Sequence, residues 1–128
     1  MTDTPSIVPY LSYSDAKAAC TFLEQAFGLS LVTAFDAEDG ALLHAEMAHG
    51  NGVVMIGTEE RPKGSPGIYL VVADVDAHFE RASSGGAKIV YPPEDTEWGT
   101  RRYRACDLEG HEWTFGTYQP QTTAPVWT

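Results

Sequence analysis

Apolar and polar positions divide the chain into two similar series of short elements. The first half opens with an apolar run over residues 7–13. A stretch with apolar residues at helical spacing follows, and then three short runs rich in apolar residues. This pattern predicts a strand, an amphipathic helix and three more strands. The same order returns from residue 68 onward, so the sequence predicts two βαβββ units.

Polar residues and glycines mark the ends of the two predicted helices. Ser14 or Asp15 precedes the first helix and Asp74 the second, and each can accept a hydrogen bond from an unpaired N–H of the first turn. Gly28 is expected to end the first helix in the left-handed conformation, and the glycine pair at 85–86 ends the second. The predicted strands after the helices are 29–35, 41–48 and 53–57 in the first half and 88–91, 100–106 and 112–117 in the second.

An internal repeat with an offset of 59 residues supports the two-unit interpretation. The offset aligns Tyr10-Leu11 with Tyr69-Leu70, Asp15 with Asp74, and Gly57-Thr58 with Gly116-Thr117. We therefore expect one domain over residues 1–120, with modules at about 5–58 and 67–118. The charged, Pro- and Gly-containing segment 59–66 is predicted to be a linker. Residues 119–128, which include Trp127, are predicted to form a flexible tail.

The repeat predicts the fold class and the place of a ligand site. A helix packed on a four-stranded sheet covers only one sheet face. Two such units placed side by side form a cleft between curved mixed sheets, and clefts between modules are common ligand sites. The sequence thus predicts an α+β domain of two tandem βαβββ modules with a cleft between them.

The charge balance excludes some partners. Eighteen Asp and Glu residues oppose eight Lys and Arg residues, for a formal net charge of −10. Nucleic acid and anionic membranes are therefore poor partners, and a cationic ligand is favoured, although acidity also serves solubility. The N-terminus has no signal-peptide pattern, and no apolar run is long enough to span a membrane, so we expect a cytoplasmic protein.

Isolated cysteines and histidines carry little chemistry in this sequence. Cys20 and Cys106 fit no metal-ligand spacing, and Cys20 has no evident activating base. His49 at a predicted turn and His78 on a predicted helix are expected on the surface. Gly-rich phosphate loops and nucleophile elbows are not found.

Four motifs together resemble the glyoxalase/bleomycin-resistance/extradiol-dioxygenase superfamily over residues 5–118. They are Ser14-Asp15-Ala16, Phe27-Gly28-Leu29, His44-Ala45-Glu46-Met47 and the ending 107–115. The block 97–103 is also similar to a loop and strand of its bacterial members. The resemblance implies the tandem βαβββ fold and a homodimer, which would also cover exposed strand edges. It implies no single reaction, because the superfamily includes lyases, epimerases, dioxygenases, thiol transferases and drug-sequestering proteins.

The resemblance also implies where metal-dependent members hold a divalent ion. It places the four ligand positions at Val8 or Pro9, Glu46, Gly67 or Ile68, and Thr114. Only Glu46 is a suitable ligand, and one carboxylate does not hold a divalent ion tightly. We therefore expect neither a metal nor another cofactor.

Glu46 and His44 are the candidate catalytic residues. They are two positions apart, so they share one face of a strand. Glu112 on the matching strand would join them at a relocated metal site if the two faces meet. Glu46 could otherwise act alone as a general base, or pair with Arg102, Arg104 or a tyrosine and hold strands together.

The candidate ligand-binding residues suggest a small organic partner. Trp98 lies in an acidic loop and suits stacking on a planar or cationic molecule, or covering a pocket or a second subunit. The full candidate set is Trp98, Tyr103, Arg102, Tyr10, Glu112 and Thr114. The favoured function is metal-independent binding of a small molecule, such as drug or metabolite sequestration. The alternative is a lyase, isomerase or dioxygenase that uses Glu46 and His44.

Overall fold

The computed structural model describes residues 5, 7–60, 62, 64 and 66–120. Their ten elements are β1 (Tyr10–Tyr13), α1 (Ala16–Phe27), β2 (Ser30–Asp36), β3 (Leu42–His49), β4 (Gly52–Thr58), β5 (Ile68–Val71), α2 (Val75–Ser84), β6 (Lys88–Asp95), β7 (Arg101–Cys106) and β8 (Glu112–Gly116). We call the first five elements module one and the last five module two. The predicted linker and tail lie outside the described residues at positions 61, 63, 65 and 121–128, which include Trp127.

The two helices begin and end at predicted residues. The Asp15 carboxylate accepts a hydrogen bond from the Ala18 N–H at 3.1 Å, and that of Asp74 from the Ala77 N–H at 3.0 Å. Each bond satisfies an N–H group that the first turn leaves unpaired. Gly28 ends α1 with a φ of 79°, where a residue with a Cβ would be strained. No helix in the described ranges is long and apolar enough to cross a membrane.

Each module contains one mixed four-stranded sheet. The strand orders are β1-β4-β3-β2 and β5-β8-β7-β6. In both sheets the first strand pairs in parallel with the last strand of its module, and the other neighbours are antiparallel. This topology confirms the predicted α+β class with two tandem βαβββ modules.

Strand β6 is longer than the sequence predicts. The prediction ended this strand at Tyr91, before Pro92 and Pro93, but the strand continues to Asp95. β6 is an edge strand, where a residue without an N–H loses no hydrogen bond on the solvent side. The register shifts between Tyr91 and Glu94 to accommodate the two prolines.

The helix-facing sides of both sheets share one hydrophobic core. Along β3, Ala45 and Met47 are fully buried against the helices, whereas His44 and Glu46 lie on the other side. Phe27 at the end of α1 joins the two modules, since its ring lies 5.5 Å from that of Trp113 and 4.8 Å from that of Phe115. We call the sheet face turned away from the helices the open face of each module.

A buried carboxylate in the β7–β8 loop ties the modules together. Asp107 accepts hydrogen bonds from the Tyr13 hydroxyl at 2.6 Å and the Trp113 indole N–H at 3.0 Å. Its other oxygen accepts from the N–H groups of Glu109 and His111. Burial, together with the adjacent Asp107 carboxylate, raises the pKa of Tyr13, so the hydroxyl stays protonated and donates.

The same loop also binds the start of α1. The Glu109 carboxylate accepts hydrogen bonds from the N–H groups of Ser14 and Asp15 at 2.8 and 2.9 Å. The Ser14 hydroxyl donates to the same carboxylate at 3.0 Å. A carboxylate at a helix N-terminus is favourable because the unpaired N–H groups there carry partial positive charge. Module two therefore helps to position the first helix of module one.

Two histidines bridge the modules in an almost symmetrical way. His111 Nε2 lies 3.0 Å from the Ser12 carbonyl oxygen, and His49 Nε2 lies 2.7 Å from the Val71 carbonyl oxygen. The two acceptors, Ser12 and Val71, are separated by the repeat offset, whereas the two histidines are not equivalent positions. The surface position expected for His49 is wrong, because its ring is partly buried between β5 and the β3–β4 turn.

His78 is also partly buried, which corrects its expected surface position. Its ring bonds the Tyr103 hydroxyl at 2.6 Å and the Phe27 carbonyl oxygen at 2.9 Å. Arg81 donates to the carbonyl oxygens of residues 24 and 25. These side chains of α2 satisfy carbonyl groups that the last turn of α1 leaves unpaired.

Candidate functional site

The open face of module one holds the two candidate catalytic residues. His44 Nε2 lies 2.9 Å from Glu46 Oε2, and the two side chains are 30% and 33% exposed. The Phe35 ring stacks beside His44 with 6.5 Å between ring centroids. Tyr10, also on this face, lies over Gly57 of the neighbouring strand β4. The face thus combines an imidazole–carboxylate pair with exposed aromatic rings.

The pairing of His44 with Glu46 gives this face one definite chemical capacity. A carboxylate that accepts a hydrogen bond from an imidazole fixes the ring and allows the pair to move a proton. The arginines considered as partners of Glu46 bind other carboxylates, Arg102 that of Glu94 at 3.0 Å and Arg104 that of Glu112 at 3.8 Å. Within the described part of the chain, Glu46 is therefore paired inside its own strand.

The open face of module two carries two arginines, each paired with a carboxylate. Arg102 and Arg104 project from β7 near the Tyr91 ring, with guanidinium carbons 5.8 and 5.4 Å from its centroid. These distances are typical of cation–π contacts. Arg104 also donates from Nε to the Thr114 hydroxyl at 2.8 Å. Thr114 and Glu112, two of the candidate ligand-binding residues, therefore both contact Arg104.

A pocket of about 470 Å³ opens beside the tip of the β6–β7 hairpin. Three aromatic side chains line it, namely Trp98 at the hairpin tip, Tyr69 on β5 and Tyr118 after β8. Trp98 is 74% exposed, so most of its ring is available for contact. The remaining lining residues are Thr96, Thr100, Arg101 and Arg102. The sequence predicted Trp98 and Arg102 as ligand contacts, and the structure brings these two together.

The hairpin that carries Trp98 is well anchored. The Thr96 N–H donates to the Thr100 carbonyl at 2.8 Å, and Gly99 adopts a φ of 82° that lets the turn close. Arg101 binds Asp76 on α2 through two N–H groups at 3.0 Å and Asp95 through a third at 2.9 Å. These two ion pairs join the strand ends next to the hairpin turn to the second helix.

Tyr103 does not belong to the ligand site. It is 0% exposed and packs in the core, with its ring 5.0 Å from that of Phe115. Strand alternation gives the reason, since Arg102 and Arg104 occupy the open face and Tyr103 must point the other way. The pocket uses Tyr69 and Tyr118 instead. The repeat gave a signal for Tyr69, because it is equivalent to Tyr10, whereas Tyr118 had none.

The strand registers show which positions of the two modules are equivalent. Tyr10 pairs with Met55, which pairs with Glu46 on β3. In module two, Tyr69 pairs with Thr114, which pairs with Arg104. Thr114 is thus equivalent to Met55, and Glu46 is equivalent to Arg104. Glu46 therefore lies one strand away from Met55, the counterpart of Thr114.

No three His, Cys, Asp or Glu side chains within residues 7–60 and 66–120 are grouped so that they could hold a metal ion. His44 and Glu46 form a pair on module one, whereas Glu112 contacts Arg104 on module two. The relocated three-ligand centre considered from the sequence is therefore not assembled by this chain. Burial raises the pKa of both Cys20 and Cys106, which disfavours the reactive thiolates.

Comparison with known proteins identifies the family. Residues 6–115 match the model of the Glyoxalase/Bleomycin resistance protein/Dioxygenase superfamily. An uncharacterised protein of Mycobacterium bovis is 34% identical over 125 residues, which cover 88% of this chain and 82% of that protein. An uncharacterised protein of Mycobacterium tuberculosis is also 34% identical, with 74% of its length covered.

Solved structures agree with this family. TioX from Micromonospora sp. ML1 is 35% identical with a TM-score of 0.76, over 88% of this chain and 97% of TioX. Glyoxalase I from Zea mays has a TM-score of 0.75 over 88% of this chain and 44% of the maize protein, at 19% identity, which shows the fold alone. From the family match, the two-module topology and these relatives, we conclude that the chain belongs to the glyoxalase/bleomycin resistance protein/dioxygenase superfamily.

Proposed function

We propose that this protein binds a small planar aromatic molecule in the pocket beside Trp98 and needs no metal to do so. The observation that carries the proposal is the grouping of three aromatic side chains, Trp98, Tyr69 and Tyr118, around one pocket of about 470 Å³. Pockets of this size hold drug-sized ligands. Stacking on exposed aromatic rings contributes affinity when water is excluded.

Substitution of the tryptophan tests this function. Calorimetric titration with 2-naphthamide, a neutral planar probe, should show binding that Trp98→Ala weakens by roughly tenfold. Phe35→Ala is the matched control, because Phe35 is an exposed aromatic residue on the open face of the other module. Equal affinities of wild type and Trp98→Ala would contradict the proposed site.

Metal independence is part of the proposal. The equivalent positions Met55 and Thr114 carry no metal ligand of the usual kind, and Glu46 is engaged by His44. Metal analysis of protein purified without an affinity tag should find no stoichiometric nickel, zinc, iron or manganese. A metal that is bound stoichiometrically and lost in Glu46→Ala would overturn this part and favour an enzyme.

The homodimer expected from the sequence also remains a proposal. Both open faces expose aromatic side chains, among them Tyr10 and Phe35 on module one and Tyr69 on module two. Exposed apolar surface of this kind often marks a protein interface. Sedimentation velocity at micromolar concentration should give the mass of two chains, and a monomer would contradict this expectation.

The His44–Glu46 pair supports a second candidate function, an enzyme with acid/base chemistry. A half-buried carboxylate bonded to an imidazole can remove a proton next to a carbonyl group. Deuterium exchange into hydroxyacetone, followed by NMR, gives a direct test. Exchange that is lost in Glu46→Gln but kept in Arg104→Gln, at the equivalent position, would favour this function.

A further inference from the structure

Two arginines line the pocket beside Trp98, and both are paired with carboxylates that lie outside the lining. Arg101 and Arg102 both line it, and no carboxylate is among its lining residues in the described part of the chain. The net charge of −10 attracts cations to the protein as a whole. Salt screens such long-range attraction over roughly 8 Å, so a guanidinium group in direct contact decides which ligand charge the pocket accepts. The ligand charge therefore depends on the hydrogen-bond donors that these two arginines leave unused, and not on the net charge of the protein.

The two arginines of the pocket differ in the hydrogen-bond donors that remain. Arg101 uses Nε, Nη1 and Nη2 for Asp76 and Asp95, so its role is to hold the hairpin. Arg102 donates only from Nε, to Glu94 at 3.0 Å. Its two terminal amino groups have no hydrogen-bond acceptor among the described residues. A guanidinium group in this state can bind a carboxylate through two parallel bonds.

Glu94 does not block this use of Arg102. The ion pair is half exposed, with side-chain exposures of 43% and 46%, and such pairs are weak. Glu94 is also absent from the pocket lining. A second carboxylate can therefore share the guanidinium group from the pocket side while Glu94 keeps its bond to Nε.

We propose that the ligand of this pocket is a planar aromatic acid, with its ring stacked on Trp98 and its carboxylate bound by the terminal amino groups of Arg102. The proposal rests on the proposed binding function and adds the chemical class of the ligand. Arg104 serves as its internal comparison, because it lies on the same open face but outside the pocket lining.

Three probes with the same ring and different charge test the proposal by calorimetry. They are 2-naphthoate, 2-naphthamide and 2-naphthylmethylammonium. We expect 2-naphthoate to bind roughly tenfold more tightly than the amide, since its hydrogen bonds to Arg102 are charge-assisted. The ammonium probe should bind more weakly than the amide. Circular dichroism and unfolding midpoints verify that each variant used is folded.

Two substitutions assign the preference to one side chain. Arg102→Gln should remove the advantage of 2-naphthoate, so that this variant binds 2-naphthoate and 2-naphthamide with similar affinity. Arg104→Gln should keep the advantage. An equal loss for all three probes in Arg102→Gln would mean that Arg102 only shapes the pocket, and this result would overturn the proposal.

The remaining outcomes separate this proposal from the proposed function. If the ammonium probe binds more tightly than 2-naphthoate and Trp98→Ala weakens all three probes, the aromatic pocket stands and the acid is wrong. If no probe binds, or if Trp98→Ala changes none of the affinities, the site itself is wrong and both proposals fail.

Discussion

The two modules share one device on their open faces. Tyr10 lies over Gly57 in module one, and Tyr69 lies over Gly116 in module two. In each case the glycine is on the strand that pairs with the tyrosine strand, and any Cβ there would collide with the phenol ring. An aromatic ring that covers a strand glycine shields its backbone. The duplication has therefore kept the parts of the open face that fit together sterically.

The ionisable residues that lie beside these tyrosine–glycine pairs differ between the two modules. Glu46 of module one and Arg104 of module two are equivalent in register, and two positions earlier His44 corresponds to Arg102. Side chains on an open face pack against few neighbours, so their replacement costs little stability. The comparison teaches that packing preserved the frame of this protein while the chemistry of its two faces diverged.

The hairpins at the edges of the two sheets also differ in strength. Their turns are alike, with Gly40 at a φ of 87° and Gly99 at 82°. In module one a single ion pair, Lys17 with Asp36 at 3.3 Å, links the hairpin to its helix. In module two Arg101 binds two carboxylates at the equivalent place. The stronger anchor belongs to the hairpin that carries the pocket tryptophan.

The largest expected effect concerns the β7–β8 loop of module two, which is compared with the β3–β4 turn of module one. Asp107→Ala leaves the Tyr13 hydroxyl, the Trp113 indole N–H and two backbone N–H groups without their buried acceptor. We expect a loss of about 3 kcal/mol or more in the free energy of unfolding, measured by urea titration. Asn51→Ala in the exposed turn of module one should change it by less than about 0.5 kcal/mol. Similar losses in the free energy of unfolding for the two variants would contradict the expectation that the β7–β8 loop contributes more to stability.

The shared tyrosine–glycine device provides the second test. In Gly116→Ala the new Cβ would lie 2.7 Å from the Tyr69 hydroxyl oxygen and 3.2 Å from the Arg101 carbonyl oxygen. We expect a loss of about 1–3 kcal/mol in stability from overpacking. Binding of 2-naphthamide should weaken by roughly tenfold, because the displaced ring lines the pocket.

Gly57→Ala is the matched control for this experiment. It displaces Tyr10 in the same way, so it should lower the free energy of unfolding by a similar amount. Its affinity for 2-naphthamide should stay at the wild-type value, because Tyr10 is absent from the pocket lining. Equal loss of binding in both variants would place the ligand elsewhere.

The third prediction concerns His78, which extends from α2 to the end of α1. Burial lowers the pKa of His78 below its ordinary value of 6.5, and the nearby His49 and Arg81 lower it further. The unfolded chain therefore binds the proton first as the pH falls. His78 destabilises the fold progressively from about pH 6.5 downward, until the pH lies below its lowered pKa.

Denaturation at pH 8 and pH 5 measures this effect. Wild type should be less stable at pH 5, and the difference between the two values should shrink in His78→Gln, whose amide does not titrate. An unchanged difference in His78→Gln would show that other groups cause the acid sensitivity. The equivalent position of module one is Ala19, so module one has no counterpart of this titration.

The smallest expected effect concerns the hairpin anchors. Arg101→Gln should speed hydrogen exchange at the N–H groups of Thr96 and Gly99 by up to about fivefold, because exposed ion pairs stabilise only weakly. Lys17→Gln should change exchange at Ala37 and Gly40 of the other hairpin by less. Equal acceleration in the two hairpins would mean that the second carboxylate contact of Arg101 adds no stability.

Local patterns in the sequence determined the elements of this fold. Asp15, Asp74 and Gly28 specify helix ends through interactions within a few residues, so they could be identified without a structure. The repeat with its 59-residue offset predicted the two modules and aligned Tyr69 with Tyr10, although only Tyr10 was named as a candidate ligand contact. The predicted end of β6 at Tyr91 was too early, because an edge strand can continue through Pro92 and Pro93.

The candidate site depends on choices that no local pattern contains. The sequence named Glu46 and His44 together because two positions on one strand share a face. It misassigned Tyr103, because alternation along β7 shows which residues share a face but leaves open which set meets the core. Packing of α2 on the sheet decided that question, and it turned Arg102 toward the pocket.

The sequence by itself therefore determined the helix caps and the repeated order of elements, since these depend on neighbours along the chain. The resemblance of its motifs also indicated the family. Only the tertiary structure decided that Trp98, Tyr69 and Tyr118 share one pocket, that Glu46 pairs with His44, and that Asp107 joins the modules. Each of these contacts joins residues whose distance in space is set by strand register or by packing across the core. The physical reason is that contacts between residues far apart in the chain form only when the whole fold brings them together. Local sequence patterns and composition do not contain these distances.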